Sequence, residues 1–480
     1  MGKKSESFFG AANAKISKAT NNLSTKLDSL LSSDWFLKLT FCWFSIQASL
    51  FALTTRFGLP PDETYHLTYI KLFSEHSPSP ILASQGSYFI LLEAVKNPFF
   101  LYHYILSFPY LLVSSLPGPY IFLRFINIGL GIVSLYLVYK IANLINVTKL
   151  ARNLSIFMLS STLMFVFIFS SISYDNLFIM LSIAGVYLLL SIERSITVTR
   201  LLLFSIVIIS GMLVKINFLP IAFILLLVFL FQSARKMPTF AKKIKKTFNT
   251  NKLMNYGLLL ITVLLGLLFL QRYALNVVQY HKFAPDCQQV LDIEYCRQNS
   301  LFQRTELFEG KGKRPINQGI MSYSAGWSKL MVQRTFGLFA HKRFPAGKII
   351  TIWAIFMFSI STVGFIRLWK PSDRKINILL VISVFYLCVL LLENFSTYTS
   401  TGIPQLAIHG RYAFCILPLL FLIGNHYTLR LLRNNLLRSI YLITTIIVFA
   451  LSCLPVYFQE SSVDWYNPSS KTLIVDRLKN

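Results

Sequence analysis

The sequence predicts an all-α, polytopic membrane protein, and three observations carry that prediction. Hydrophobic residues fill 54% of the 480 positions and aromatics 15%, with a mean hydropathy of +0.58, more apolar surface than one water-soluble core can hide. Apolar runs of roughly 17 to 25 residues, long enough to cross ~30 Å of hydrocarbon as helices, recur along nearly the whole length. The formal charge of +27 is carried by Lys and Arg that gather between those runs. In a soluble chain such a charge would point to nucleic acid. Here cytoplasmic loops that hold orientation and touch anionic lipid account for it, so membrane lipids, and no nucleic acid, are expected as partners.

Residues 1–34 carry Lys3, Lys4, Lys15, Lys18 and Lys26 among Ser, Asn and Ala, with Ile16, Leu23, Leu27, Leu30 and Leu31 at roughly helical spacing, the pattern of a basic helix on the cytoplasmic leaflet. The first apolar run, Trp35 to Leu53, is long and lacks a small-x-small exit, so it reads as a retained anchor; Glu6 stands where an N-myristoylation pattern wants Ser or Thr. A transmembrane unit over 35–457 is expected to follow. Its first span, about 36–55, runs outward and opens an outer loop, 61–117, which Pro78, Pro80, Pro98, Pro109 and Pro117 break too often for a clean crossing. That loop reads as two helices along the outer interface, one beginning at Asp62 and one from Pro98 to about Ser115.

Spans at 119–143, 152–171, 177–192, 201–214 and 218–232 then alternate in direction. They deliver to the cytoplasm the loop 233–252, which has seven Lys or Arg and no acid. A span at 253–270 opens a long outer loop, 271–345. Spans at 346–366, 376–392, 412–428 and 439–457 bring the count to eleven and leave 458–480 as an outer tail. No internal repeat is visible.

Cys42, Cys388, Cys415 and Cys453 fall inside apolar runs and read as packed hydrophobes. Cys287 and Cys296 lie nine apart in the long outer loop, where an oxidising compartment would let them close a disulfide. No Cys/His spacing fits a zinc site, and neither metal nor cofactor is expected.

The outer span ends hold the polar residues of interest. In Leu59-Pro60-Pro61-Asp62-Glu63-Thr64-Tyr65-His66, the prolines stop a helix and Asp62 can simply N-cap the next one. The competing reading is functional, because a carboxylate pair at a membrane boundary is costly to desolvate. Asp175 either N-caps its span or orients a substrate. Lys215 and Arg124, at outer ends of their spans, either snorkel to the headgroups or bind an anion. The basic, aromatic segment Phe336 to Arg343 reads as an interfacial anchor. Arg411, in His409-Gly410-Arg411-Tyr412, stands at a span mouth where a guanidinium can grip a phosphate through two parallel bonds and Gly410 permits close backbone approach.

An outward carboxylate, outward cations and an aromatic interfacial helix are the parts needed to use a lipid-linked phosphosugar: cations hold the leaving phosphate and the carboxylate takes a proton from the attacking hydroxyl. Taken in order, Pro60-Pro61-Asp62-Glu63 with His66, Asn97-Pro98-Phe99-Phe100-Leu101-Tyr102, Ser173-Tyr174-Asp175, Lys215-Ile216-Asn217-Phe218-Leu219-Pro220 and His409-Gly410-Arg411-Tyr412 resemble the landmarks of bacterial GT-C-type glycosyltransferases that use polyprenyl-phosphate sugars. The resemblance spans roughly residues 35–430. It implies an inverting enzyme of the bacterial inner membrane, working on the outer face in cell-envelope polysaccharide biosynthesis, with a polyprenyl-phosphate-linked sugar as donor and a glycan, lipid or protein hydroxyl as acceptor.

Carried over residue by residue, the family's outer catalytic acid falls on Asp62 with Glu63 beside it, and its lipid-phosphate site on Arg411. His66, Tyr102, Asp175, Lys215, His409 and Tyr412 would contact substrate. The chain departs from the pattern at Pro98-Phe99, where Pro-Pro is common, and at His409, where a Gln often precedes Gly-Arg-Tyr. The alternative class is a transporter or lipid-linked-sugar flippase, whose ionisable groups usually sit near the midplane in broken helices and repeats rather than at the outer edge. A third is an inactive scaffold of a polysaccharide-assembly complex, descended from such an enzyme.

Overall fold

The computed structural model describes residues 21–76, 98–234, 247–248, 250–297 and 318–467. The expected basic helix before residue 21, the middle of the first outer loop including Asn97, most of the 233–252 loop, residues 298–317 and the tail beyond 467 lie outside the described residues.

Helix α1 (Asp34–Thr54) starts where Ser33 accepts a bond from the Phe36 amide at 3.0 Å, a polar cap bounding an apolar 21-residue stretch. The chain turns through Leu59-Pro60-Pro61 into α2 (Glu63–Glu75), and α3 (Leu101–Val113) packs beside it. These are the two helices expected in the first outer loop, and at 13 residues each they are only about 20 Å long. Then come α4 (Pro119–Leu144), α5 (Lys149–Ser160), α6 (Leu163–Phe169), α7 (Tyr174–Arg194), α8 (Val198–Val214) and α9 (Phe218–Ala234). Helix α10 (Lys252–Phe269) runs on through a π-helical turn at Leu270–Ala274 to Tyr280. Within the expected loop 271–345 lie α11 (Ile320–Phe336) and a hairpin of β1 (Leu338–Phe339) and β2 (Arg343–Phe344), and after it come α12 (Lys348–Leu368) and α13 (Arg374–Thr401). A 3-10 turn at Gly410–Cys415 leads into α14 (Leu417–Leu431), α15 (Asn435–Leu451) and α16 (Leu454–Glu460). Cys287 and Cys296 are bonded, with Cα atoms 5.8 Å apart.

The chain is an all-α integral membrane protein, and of the eleven expected spans six to eight meet the length and hydropathy of a full crossing among the described residues. Among the described residues six helices are long and apolar enough to cross: α1, α4, α7, α10, α12 and α13. The pairs α5/α6 and α15/α16, bent by 66° and 41°, raise the number to eight. The other three expected spans became α8 and α9, of 17 residues each, and α14, of 15, about 26 and 22 Å long against ~30 Å of hydrocarbon.

Helices α5, α6 and α7 form the buried centre, while α10 is almost wholly exposed on its flank. That placement explains the break between α5 and α6. Irregular backbone at membrane depth survives only where protein covers it, and here Gln47 of α1 donates to the freed Ser160 carbonyl at 3.2 Å. A polar tie crosses the same core, with Tyr441 donating to Asn425 and Asn425 to Ser155, at 2.8 and 2.9 Å.

The two ends of the bundle differ in charge. At one end, ion pairs join Arg374 to Glu193, Arg438 to Asp28 and Arg152 to Asp34. The helical residues 21–32 dock there, through Asp28 and Asn21. At the opposite end Glu63 and Arg124, neither side chain exposed at all, form a two-bond pair of 2.8 and 2.7 Å. Arg124 also donates to the carbonyls of Ala52 and Thr55, and Glu63 accepts from the amides of Gly58 and Ile172. One buried pair therefore fastens α1, the first loop, α2, α4 and the turn before α7. The chain at 465–467 returns here too: Asn467 donates to the Thr54 carbonyl and Arg56 to that of Trp465, both at 2.8 Å.

Removing one partner of a buried ion pair leaves the other charge unpaired, which costs about 3–5 kcal/mol. Glu63→Gln should therefore lower the thermal unfolding temperature of purified protein sharply. A variant as stable as the parent would mean that this pair does not hold the end of the bundle together.

Candidate active site at one end of the bundle

Asp62 occupies the N-cap position of α2 but does not cap it. Its φ is +59°, in the left-handed region, and its side chain makes no capping bond. The carboxylate instead meets Arg411 Nη2 at 3.2 Å, with the Asp62 side chain half exposed. The plain capping turn is thus not what forms. Pro60-Pro61 restrict the backbone before Asp62, and the buried bonds of Glu63 pin the residue after it.

Glu63 was expected to share the catalytic role, and its geometry argues otherwise. Both of its oxygens are filled by Arg124 and two backbone amides, and it is fully buried. Successive residues at a helix start point about 100° apart, so when Glu63 turns into the bundle Asp62 turns away from it. Arg124 follows Glu63: it neither snorkels nor reaches an external anion.

Arg411 arrives from the other side of the molecule, 349 positions along the chain. Gly410 makes this possible. A Cβ there would lie 2.2 Å from the Arg334 carbonyl carbon and 2.3 Å from the Thr335 nitrogen, so only glycine lets the 3-10 turn press against the end of α11. Arg411 Nε stands 3.4 Å from Asp175 Oδ2, short of hydrogen-bond alignment, and Asp175 is ion-paired with Lys215. The expected capping role of Asp175 falls to Ser173, whose hydroxyl accepts from the Asp175 amide at 3.2 Å. Nor does Lys215 snorkel. It is buried just past the end of α8, its Nζ 4.2 Å from the Tyr412 ring centre and 4.7 Å from that of Tyr174.

The result is a run of alternating charge, Asp62, Arg411, Asp175, Lys215, drawn from four separate segments and formally neutral. His66 and Tyr102 stand behind it. His66 Nδ1 and His103 Nε2 are 2.9 Å apart with stacked rings, and the His66 ring meets the Tyr174 ring edge-on at 4.6 Å. Tyr102, expected to contact substrate, is buried and donates to Asn127 Oδ1 at 3.1 Å, an oxygen that Asn176 also reaches at 2.9 Å. Its position is that of a brace. His409 and Tyr412, half-buried with ring centres 5.2 Å apart, stand beside the run at the start of the 3-10 turn. Sequence reasoning missed Tyr174, His103, Asn127 and Arg334; a polar residue inside an apolar helix was the one available signal, and it marks His103 and Asn127.

Electrostatics keep the site's histidines neutral. Burial, and then the Arg411 and Lys215 charges against an opposing pull from Asp175, push His66 down to about 3. Burial followed by Arg411, Lys215 and Arg334 does the same to His409, also to about 3. Burial and then His66 lower His103. Among the described residues no group of three or more His, Cys, Asp or Glu side chains is placed to hold a metal ion.

No protein-family profile matches the chain, and no curated protein sequence matches it. Among solved structures it is similar to the apo crystal structure of the Archaeoglobus fulgidus oligosaccharyltransferase, at 12% identity and a TM-score of 0.39 over 90% of this chain. The matched part is 59% of that enzyme, so the chain spans about six-tenths of its length.

The histidine shifts set a direction for stability against pH. An unfolded histidine titrates near 6.5, whereas His66 and His409 in the fold resist protonation down to about 3. Between those values the unfolded chain binds more protons, so stability is full above about 6.5 and drains away as the pH falls toward 3. Unfolding temperatures measured across that window should fall steadily on acidification; a rise would contradict the assignment of neutral, buried rings.

Proposed function

We propose that the chain is a GT-C-type glycosyltransferase that moves a sugar from a polyprenyl-phosphate donor to a hydroxyl acceptor, with inversion and with Asp62 as general base. One observation carries the reading: a half-exposed carboxylate rests on Arg411, which belongs to a buried, alternating run of two cations and two anions at one end of a helical bundle. The opposite end holds the basic loop residues, so by the positive-inside rule the site faces the extracytoplasmic side.

The chemistry follows from the geometry. The donor phosphate binds Arg411 and Lys215, and by competing for Arg411 it frees the Asp62 oxygen that Arg411 now holds. The acceptor oxygen attacks the anomeric carbon from the face opposite the phosphate, and its proton passes to Asp62. The bond from the anomeric carbon to phosphate oxygen breaks with its electron pair on the phosphate, so the negative charge facing Arg411 grows and the cation is worth more in the transition state than before it.

The lipid tail has a path as well. Between α12, α13, α14 and α15 lies a cleft of about 150 Å³ lined by Met357, Phe365, Leu380, Leu420 and Phe449, with Phe336 at its edge. Phe336 closes the same helix whose Arg334 and Thr335 press on Gly410, so the cleft begins next to the turn that carries Arg411.

The test is transfer by purified protein supplied with polyprenyl-phosphate sugars. Asp62→Asn should keep its unfolding temperature and donor binding and lose transfer by at least ~100-fold, the scale of a missing general base. Arg411→Lys should lose transfer although it keeps the charge, because an ammonium cannot form the fork. Parental rates in well-folded Asp62→Asn protein would return Asp62 to a solvated turn.

A further inference from the structure

A second cationic cluster lies beside the charge run and takes no part in it. Arg334, near the end of α11, donates from Nη1 to the Gln405 carbonyl at 3.0 Å and to that of Ile408. Its Nε and Nη2 donors have no protein acceptor among the described residues. Its Cζ stands 4.2 Å from the centre of the Phe339 ring, and the Arg343 Cζ stands 5.4 Å from the same ring. Phe339 and Arg343 are cross-strand partners, so the hairpin register puts them together.

The hairpin itself is clamped. A Cβ on Gly337 would come within 2.5 Å of the Ala346 nitrogen, and the His341 amide donates to the Leu59 carbonyl, just before Asp62, at 3.3 Å. Two guanidiniums are thus built around one ring, and among the described residues no carboxylate pairs with either. Lys342 already engages Asp464 at 2.6 Å. Burial lowers the Arg334 pKa, and the neighbouring Arg343 charge lowers it further. Holding two like charges on one ring without an anion is unfavourable, unless the arrangement serves an anion from outside.

We propose that Arg334 and Arg343, set about Phe339, form a second oxyanion site next to the Asp62–Arg411 pair, and that it takes a phosphate group. Two guanidiniums match the charge and the several acceptor oxygens of a phosphate better than those of one carboxylate. His409 lies between the two sites, its ring 6.2 Å from Phe339 and 5.2 Å from Tyr412. The phosphate would come from an anionic lipid headgroup or from a phosphorylated soluble substrate, and the site recognises what these share.

The test uses the full chain in phosphatidylcholine nanodiscs, with inorganic phosphate as the probe and binding, not transfer, as the readout. It therefore stands whether or not the chain transfers sugars. Arg343→Gln changes an exposed residue and should weaken phosphate binding at least about tenfold; Phe339→Leu, which removes the shared ring, should do the same. Arg374→Gln, at the opposite end of the bundle, should leave this binding in place. In nanodiscs containing phosphatidylglycerol, suppressed phosphate binding would assign the site to a lipid headgroup and retained binding to a soluble phosphate, and both outcomes uphold it. Parental binding in both Arg343→Gln and Phe339→Leu, no binding by the parent, or equal loss in Arg374→Gln would overturn it.

Discussion

The buried pair of Glu63 and Arg124 is the constraint on which the end of the molecule that carries Asp62 and Arg411 depends. Neither charge touches solvent, and every acceptor and donor around them is another part of the fold: carboxylate oxygens to guanidinium and amides, guanidinium to the carbonyls that close α1. Such a pair is weak evidence for net stability, because desolvating two ions offsets most of their attraction. Its value is positional. It allows one arrangement of α1, α2, α4 and the 172 turn, and a slip in any of them would strand a charge in a dry interior.

Asp62 inherits its orientation from that arrangement. Placed between a proline pair and an immobilised glutamate, it takes a left-handed backbone that asparagine and aspartate tolerate better than most side chains. Its carboxylate faces Arg411 rather than the amides of its own helix. The remaining charges are held by different means. Gly410 brings the turn that carries Arg411 against α11, and the rings of Tyr174 and Tyr412 flank the Lys215 ammonium with their negative faces. A neutral, alternating set of this kind can be buried without a net charge, because each cation faces an anion.

Much of the fold was legible in the sequence because a membrane simplifies the problem. Each apolar run has to satisfy its own backbone, so it must be a helix, and the proline-rich 61–117 loop had to contain something other than a crossing. The span count was less legible, since α8, α9 and α14 are apolar but short and α5/α6 is broken. Hydropathy reports composition and not whether neighbouring protein shields a bend. Asp62, Asp175, Lys215 and Arg411 were all visible as polar residues at span ends. Their mutual contacts, and the withdrawal of Glu63, Tyr102 and Arg124 into braces, were not.

By itself, then, the sequence determined the helical class, the alternation of apolar runs with basic loops, and the short set of residues from which any site had to be drawn. Those follow from local physics: the hydrocarbon thickness, the backbone's need for hydrogen bonds, and the cost of charge in lipid. Only the tertiary structure decided which carboxylate of the adjacent pair faces inward and which faces Arg411. Asp62 and Arg411 are 349 residues apart and share no local pattern. What joins them is the packing of the 410–415 turn on α11 and of α2 on Arg124, and no interaction between near neighbours in the chain encodes either distance.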